Sequence, residues 1–518
     1  MVVHAPYCAS KYQQQVTNFT ITYVRIPMTV LTDTFCRLDA IEFLLSNHDV
    51  HIQLKNLLAK YPFDFEISLT SAIHQRITRE KFILSLNTLN SIASNLASIS
   101  LSQESWPSLL KGLIDDMIEK FASFSQELLL PLKTEIMPTE ATLKLQEQIK
   151  ELESELEEHK RYISKTLGLL KFEYSTVSGL EYLIEIKNGI SIPTTWTKVN
   201  ATQKCGRFRT PEIIRILPQM QWLNERLAME AKTAWLQYLK DQTPKLKILL
   251  RMIKSWASLD CIVAMTTVAQ RSGFCRPSFN TDGKFEVKEA RNIVVEEAIT
   301  STPGCQIVAN DVNLQAGHAL VLTGPNMGGK SSYLRQVAML AIMAQMGSYV
   351  PAVSANMPIF DSLFVRMGAK DELEKGKSTL YVELEEASLI LNTATSRSLV
   401  LLDELGRGTA THDGTAIAKS VLGHLVNKIK CSVLFVTHFR SLTSLDQNIR
   451  AGHMGYGIQD QDHDNDVLFL YKLVEESSCN SFGINVAKMA KLNERILQRA
   501  KEIADLHEIF HTVSNESL

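Results

Sequence analysis

Ala319-Leu320-Val321-Leu322-Thr323 is an apolar run of strand length. Gly324-Pro325-Asn326-Met327-Gly328-Gly329-Lys330-Ser331 follows it, and from Ser332 to about Met346 apolar positions recur at helical spacing. A strand, a glycine-rich loop and a helix in that order give GxxxxGK[ST] the context its chemistry requires. Small residues let backbone N–H groups approach phosphates at a helix N-terminus, Lys330 adds positive charge toward the β- and γ-phosphates, and the Ser331 hydroxyl can ligate Mg²⁺. The expected nucleotide-binding residues are Gly324, Pro325, Asn326, Met327, Gly328, Gly329, Lys330, Ser331 and Ser332, with ATP and Mg²⁺ as the expected ligands.

Two further apolar runs end in polar groups. Ser398-Leu399-Val400-Leu401-Leu402 leads into Asp403-Glu404, and Ser432-Val433-Leu434-Phe435-Val436-Thr437 leads into His438. Buried strands of a parallel sheet read as unbroken apolar runs, and their carboxyl ends face the ligand. Asp403 is therefore expected to hold Mg²⁺ through water, and Glu404 to orient and deprotonate the water that attacks the γ-phosphate. His438 is expected to sense that phosphate, a reading that rests on three strand ends converging on one nucleotide.

Around this α/β segment the pattern changes. From Phe35 to about Leu132 apolar residues recur at three- and four-residue spacing with few glycines, which predicts packed helices. Leu145, Ile149, Leu152, Leu156 and Ile163 continue a heptad-like seam through a charged segment, predicting a long helix or short coiled coil. The His159-Lys160-Arg161 run reads as its solvated face. Phe172 to Pro211 is rich in β-branched and aromatic residues and broken by Gly189 and Pro193, so a β-rich insertion is expected there, with helical periodicity resuming to about Ala269. From Ile293 onward short apolar strands alternate with helices, as in a parallel-sheet α/β domain. Met343 and Met346 are expected in its core.

Bulk properties exclude more than they assign. At 518 residues with 45% hydrophobic and 21% charged composition, the chain is too apolar to be disordered. That length suits about three domains of roughly 150 residues. Lys plus Arg total 54 against 56 for Asp plus Glu, so any nucleic-acid contact must come from a local patch. One such patch lies in the β-rich insertion: Lys187, Lys198, Lys204, Arg207 and Arg209, with no acidic residue between Lys187 and Pro211. It suits salt-sensitive, sequence-independent phosphate contact. The eight cysteines show no metal spacing, which favours free thiols in a reducing compartment. No run reaches the roughly 18 apolar residues of a membrane span, and no secretory signal precedes the first helices, so a soluble, non-secreted protein is expected. Asp460, Asp462, Asp464 and Asp466 lack the glycine and terminal Glu of a calcium loop and read as a hairpin.

The runs Thr323 to Ser332 (TGPNMGGKSS) and Asp403 to Gly414 (DELGRGTATHDG) resemble the phosphate loop and acidic strand of the MutS family of DNA mismatch-repair ATPases. The likeness extends through Met346 to Ala352 and Val365 to Ala369 and covers about Phe35 to Ile503. It implies an all-α lever domain interrupted by a β-rich clamp, then an α/β ABC-type P-loop ATPase domain with a helical C-terminal dimerisation region. The implied boundaries are 1–34 unassigned, 35–171 first lever arm, 172–211 DNA clamp, 212–270 return arm, 271–475 ATPase and 476–518 dimerisation region. The levers would then link DNA to the ATPase.

In ABC-type dimers each nucleotide is completed by the partner subunit, and the implied signature segment here is Ser378-Thr379-Leu380-Tyr381-Val382-Glu383-Leu384. Ser378 would reach the γ-phosphate held by the partner. As a bare sequence Gly376-Lys377-Ser378-Thr379 also reads as a helix cap, and both readings can hold. Leu380 stands where most relatives carry Phe. The resemblance further places Ile307 or Val308 beside the adenine, although each reads equally as a loop or core residue. After Ser481 to Asn485, an amphipathic helix with Val486, Met489, Leu492, Ile496 and Leu497 on its apolar side would join two ATPase domains.

Ser331-Ser332-Tyr333, Gly347-Ser348-Tyr349, Arg366-Met367-Gly368 and Thr411-His412-Asp413 resemble the third eukaryotic MutS branch, the insertion/deletion-loop type, more than the sixth. That implies a nuclear heterodimer with the second MutS homologue, double-stranded DNA carrying mismatches or loops, and MutL-type downstream proteins. A meiotic MutS-like clamp on recombination intermediates, or a truncated partner-binding fragment without lesion recognition, are the alternatives. Relatives carry mismatch-binding and connector domains upstream of the levers, and nothing before Phe35 resembles either. Whether Met1 is the true start is open on the sequence alone.

Overall fold

The computed structural model describes residues 23–25, 30–61, 64–101, 105–134, 136–168, 172–187, 191–202, 205–300, 306–325, 327–367, 379–461, 464–476, 484, 487–488 and 491–515. The chain is a mixed helix-and-sheet protein that divides into two compact units, one of Met1–Lys55, Ser105–Leu110 and Leu259–Leu518, the other of Asn56–Glu104 and Lys111–Ser258. The first described segment of the larger unit is a short strand, β1 (Tyr23–Arg25), followed by the helix Val30–Ser46. That helix runs through the expected boundary at residues 34 and 35, because Leu38, Ile41 and Leu44 are fully buried on one face of it.

The smaller unit is built on helices. Glu140–Thr166 begins at a capping box in which the Thr139 and Thr142 hydroxyls satisfy each other's backbone N–H groups. Pro211–Asp241 starts with Thr210 as cap and Pro211 at its first position, where a missing N–H is harmless. The seam predicted from Leu145 to Ile163 is filled within the chain: Leu145 packs with Leu223 and Leu227, and Leu156 and Ile163 pack with Ile213, Ile216 and Met220. Later seam residues meet earlier residues of the second helix, so the two run antiparallel.

Between these helices the chain forms β2 (Ser175–Val177), β3 (Leu180–Lys187), β4 (Thr197–Ala201) and β5 (Cys205–Arg209), an antiparallel sheet in the order β2-β3-β5-β4. The run His159-Lys160-Arg161 is not the uniformly solvated face that the sequence suggests. His159 is part-buried and hydrogen-bonds the Thr210 hydroxyl at 2.8 Å, and burial lowers its pKa. Lys160 pairs with Glu173 at 2.5 Å and Glu157 at 3.4 Å.

In the larger unit β6 (Ser278–Asn280), β7 (Lys284–Ala290) and β8 (Asn310–Gln315) precede β9 (Ala319–Thr323). The next strand, β10 (Ser354–Pro358), joins the first three in a four-stranded sheet ordered β6-β10-β7-β8. Strand β9 belongs to a seven-stranded sheet with β11 (Ser362–Arg366), β12 (Leu399–Asp403), β13 (Ser432–Val436), β14 (Ile449–Gln461) and β15 (Asp464–Val474). Its order is β1-β11-β12-β13-β9-β14-β15, parallel from β11 to β14 and antiparallel at both edges. The aspartate-rich segment thus lies on the β14–β15 hairpin, although Asp462 is outside the described residues.

Both faces of this sheet are covered, with the two-residue period of a strand. Leu320, Leu322, Leu399, Leu401, Leu434 and Val436 pack toward the helix Lys330–Gln345. Ala319, Val321, Val400, Leu402, Val433 and Phe435 pack toward the helices Thr379–Thr393 and Thr411–His424. Each fully buried large side chain, such as Phe435 or Phe364, contributes roughly 1.5–3 kcal/mol of transfer free energy. The C-terminus of Lys330–Gln345 is closed by the N-terminal helix: Thr34 Oγ1 donates to the Gln345 carbonyl at 2.8 Å, and Arg37 Nη1 to the Met346 carbonyl at 2.9 Å. Met343 packs against the core, but Met346, expected there too, is 40% exposed because the helix ends at it.

Candidate nucleotide site

Parallel pairing from β11 to β14 brings several strand ends to one sheet edge. Asp403 lies level with Val436, and Val436 with Leu322, so the loop after β9 and residues Asp403, Glu404 and His438 leave the sheet together. At the start of Lys330–Gln345, Gly329 occupies the cap position with φ +98°. A side chain there would be strained by that dihedral, and a Cβ would lie 3.2 Å from Tyr471 Cδ1. Pro325 and Gly328 are buried, Ser332 is half-buried and Met327 is 64% exposed; Asn326 lies outside the described residues.

Lys330 is only 5% exposed, and its Nζ donates to the carbonyls of Gly324 (2.8 Å) and Pro325 (2.9 Å). The ammonium is held within the arc of the loop. Burial lowers its pKa, opposed by the carboxylates of Glu404 and Asp403.

Ser331 Oγ donates to Asp403 Oδ2 at 2.7 Å. Asp403 Oδ1 is buried and has no hydrogen-bond partner among the described residues. Burial pushes the Asp403 carboxyl pKa up, and the Ser331 hydroxyl pulls against it. A buried carboxylate with an unpartnered oxygen beside a hydroxyl is the donor set that a hard divalent cation satisfies, so these residues fit Mg²⁺.

Glu404 lies just beyond β12 with φ +53°, and its amide donates to the Val436 carbonyl at 2.9 Å. Oε1 meets His438 Nε2 at 2.9 Å, and Arg407 pairs with Oε2. The hydrogen bond from His438, then that from Arg407, holds its carboxyl down at about 2 against the effect of burial. A carboxylate held in this way is placed to accept a hydrogen bond from a water. His438 and Glu404 are thus in direct contact.

Several neighbours were not picked out from the sequence. Arg407 binds Glu404, and Arg366 and Glu383 form a buried ion pair beside the acidic loop. Tyr471 sits against Gly329, while Asn310 Nδ2 donates to the Tyr471 carbonyl and Lys472 Nζ to the Ala309 carbonyl. These bonds bring the segment carrying half-buried Ile307 and exposed Val308 beside β15. Arg366 and Glu383 occur in strings that carry the resemblance, but a charged residue that becomes buried has no periodic signature. Ser378 is outside the described residues.

In the smaller unit Lys187 and Lys198 are exposed, and Lys204 lies outside the described residues. The patch is less uncompensated than its sequence suggests. Register places Glu185 opposite Arg207 across β3 and β5, with Arg207 Nε to Glu185 Oε2 at 3.0 Å. The Cys205 thiol, then Arg207, holds the Glu185 carboxyl below its usual range. Arg209 Nη2 donates to the Glu181 carbonyl at 2.7 Å. The C-terminal helix spans Glu494–Asn515; Val486 and Met489 lie outside the described residues, Leu497 is half-buried, and Leu492 and Ile496 are 46% and 58% exposed.

Residues 320–508 match the family model of MutS domain V, and residues 140–226 match that of MutS family domain IV. The chain is 36% identical to the DNA mismatch repair protein msh3 of Aspergillus oryzae, over 92% of this chain and 45% of that protein. It is 36% identical to the protein of the same name from Emericella nidulans, over 90% and 44%. For the DNA mismatch repair protein MSH3 of Phaeosphaeria nodorum the identity is 35%, over 90% and 43%. The chain therefore spans less than half the length of these relatives.

Proposed function

The chain belongs to the MutS family, and from that premise we propose that it is an ATP-hydrolysing subunit of a DNA mismatch-repair clamp, with its ATPase of the ABC type. The observation that carries the reading is the Ser331–Asp403 pair with its unpartnered buried oxygen, set beside a lysine-bearing phosphate loop. Backbone N–H groups from Asn326 to Ser332 bind the phosphates, and Lys330 exchanges its contacts with loop carbonyls for phosphate oxygens. Ser331 and Asp403 hold Mg²⁺, which when bound neutralises charge on the β- and γ-phosphates. Glu404, fixed by His438 and Arg407, orients the water. The water oxygen bonds to the γ-phosphorus as the bridge to the β-phosphate breaks and the water's proton passes to Glu404, giving ADP and phosphate.

By family likeness Ser378 completes the partner subunit's site, and Ile307 or Val308 flanks the adenine. The sheet β2–β5 contacts duplex phosphates through Lys187, Lys198, Lys204, Arg207 and Arg209. The C-terminal apolar residues Leu492 and Ile496 join two ATPase domains. The same likeness gives a nuclear heterodimer with the second MutS homologue, directed at insertion/deletion loops and read by MutL-type proteins.

Magnesium titration tests the core of this reading. Asp403→Asn is expected to keep binding a fluorescent ATP analogue while Mg²⁺-dependent hydrolysis drops by about 10²-fold or more. A wild-type chain that binds no nucleotide in Mg²⁺ would sink it. For the DNA contact, Lys198→Ala should weaken duplex binding alike for all sequences and lower the salt slope by about 1. Fluorescence anisotropy across a salt series reads that slope, and an unchanged slope removes Lys198 from the interface.

A further inference from the structure

Arg366, the last residue of β11, and Glu383, on the helix Thr379–Thr393, pair at 3.1 Å with side chains only 3% and 4% exposed. Such a pair is poor evidence for stability, because desolvating both charges costs about what their attraction returns. Its contacts suggest another role. Arg366 Nη1 donates to the Asp403 carbonyl at 2.5 Å, and the Glu383 carboxylate accepts from the Gly406 amide. One contact fixes the peptide group that enters Glu404, and the other fixes the chain two residues beyond it.

Glu404 needs such fixing. Its φ of +53° lies in the left-handed region, where a non-glycine residue stays only if its surroundings enforce it. The Val436 carbonyl holds the Glu404 amide from the neighbouring strand. The ion pair supplies the restraint on the other side. We propose that Arg366 and Glu383 are positioning residues that clamp the backbone around Glu404, so that its carboxylate keeps its place against His438 and the attacking water. The inference rests on the ATPase reading above and deepens it.

Two variants of the full chain test the clamp, in the assembly in which the unsubstituted chain turns over MgATP. Glu383→Gln keeps an oxygen for the Gly406 amide but loses the charge. Arg366→Met with Glu383→Met removes both charges together, so that neither is stranded in the interior. Affinity for a fluorescent ATP analogue should stay within about threefold while single-turnover hydrolysis falls about 10²-fold in the double variant. Amide exchange in a peptide spanning residues 403–408 should accelerate. A folded double variant whose hydrolysis stays within about threefold of the unsubstituted chain overturns the proposal. So does an equal loss of affinity and turnover, the mark of a merely structural role. If the double variant does not fold, Glu383→Gln decides by the same split, with an expected fall of about tenfold. An unsubstituted chain that binds no nucleotide overturns the ATPase reading instead, and the exchange rate then decides whether the pair holds the loop.

Discussion

Replacing Glu404 by Gln is expected to reduce ATP turnover by about 10²–10⁴-fold while leaving nucleotide affinity nearly unchanged. The substitution is isosteric and strains the left-handed backbone no more than Glu does, so the loop stays in place. The negative charge disappears, and with it the ion pair to Arg407 and the charge that strengthens the hydrogen bond to His438, both of which orient the side chain. Lys330 and the loop N–H groups are untouched, which is why binding persists. Single-turnover hydrolysis measured beside binding of a fluorescent analogue separates the two effects. Turnover within about tenfold of wild type would remove Glu404 from the chemistry.

Gly414→Ala is expected to be damaging even though helix propensity says the reverse. Gly414 lies in the first turns of Thr411–His424, and an alanine there should favour the helix by about 1 kcal/mol. Packing opposes it more strongly. A Cβ at Gly414 would run into the Gly406 carbonyl oxygen, and one at Gly406 would lie 2.6 Å from the Gly414 oxygen. Both obstacles are backbone, so no side chain can swing aside. Overpacking of this kind costs on the order of 1–3 kcal/mol. The displaced segment includes Gly406, two residues from Glu404, and a shift near 1 Å at a reacting group costs about 10² in rate. Thermal unfolding and turnover of the same variant check both halves: a raised melting temperature with full turnover would mean that propensity wins and the glycine contact is slack.

The candidate nucleotide site draws on signals that are local. The run from Ala319 to Ser332 joins a strand, a loop and a helix without a break, and each of its roles depends on residues adjacent in the chain. The apolar runs before Asp403 and His438 read as buried strands for the same reason: both sheet faces are covered, so no polar residue interrupts them. The heptad-like seam was equally readable as an apolar helix face. Its partner was not, since nothing in residues 145–163 says that Leu223 and Ile213, far along the chain, would fill it.

The electrostatics were the least legible part. Counting charges between Lys187 and Pro211 gave a patch without carboxylates, yet strand register delivers Glu185 to Arg207 from outside that window. His159 looked solvated beside Lys160 and Arg161 until Thr210 was folded against it. Hydrophobic period and loop composition act over a few residues, so the elements and the candidate phosphate-binding residues could be read from the chain. Their burial, charged neighbours and placement come from contacts between segments far apart in the chain. Burial raises the Asp403 pKa, His438 and Arg407 lower that of Glu404, and Arg366 with Glu383 grips its backbone. Each of those effects depends on distances of a few ångströms between groups far apart in sequence, and Coulombic and desolvation energies change steeply over such distances.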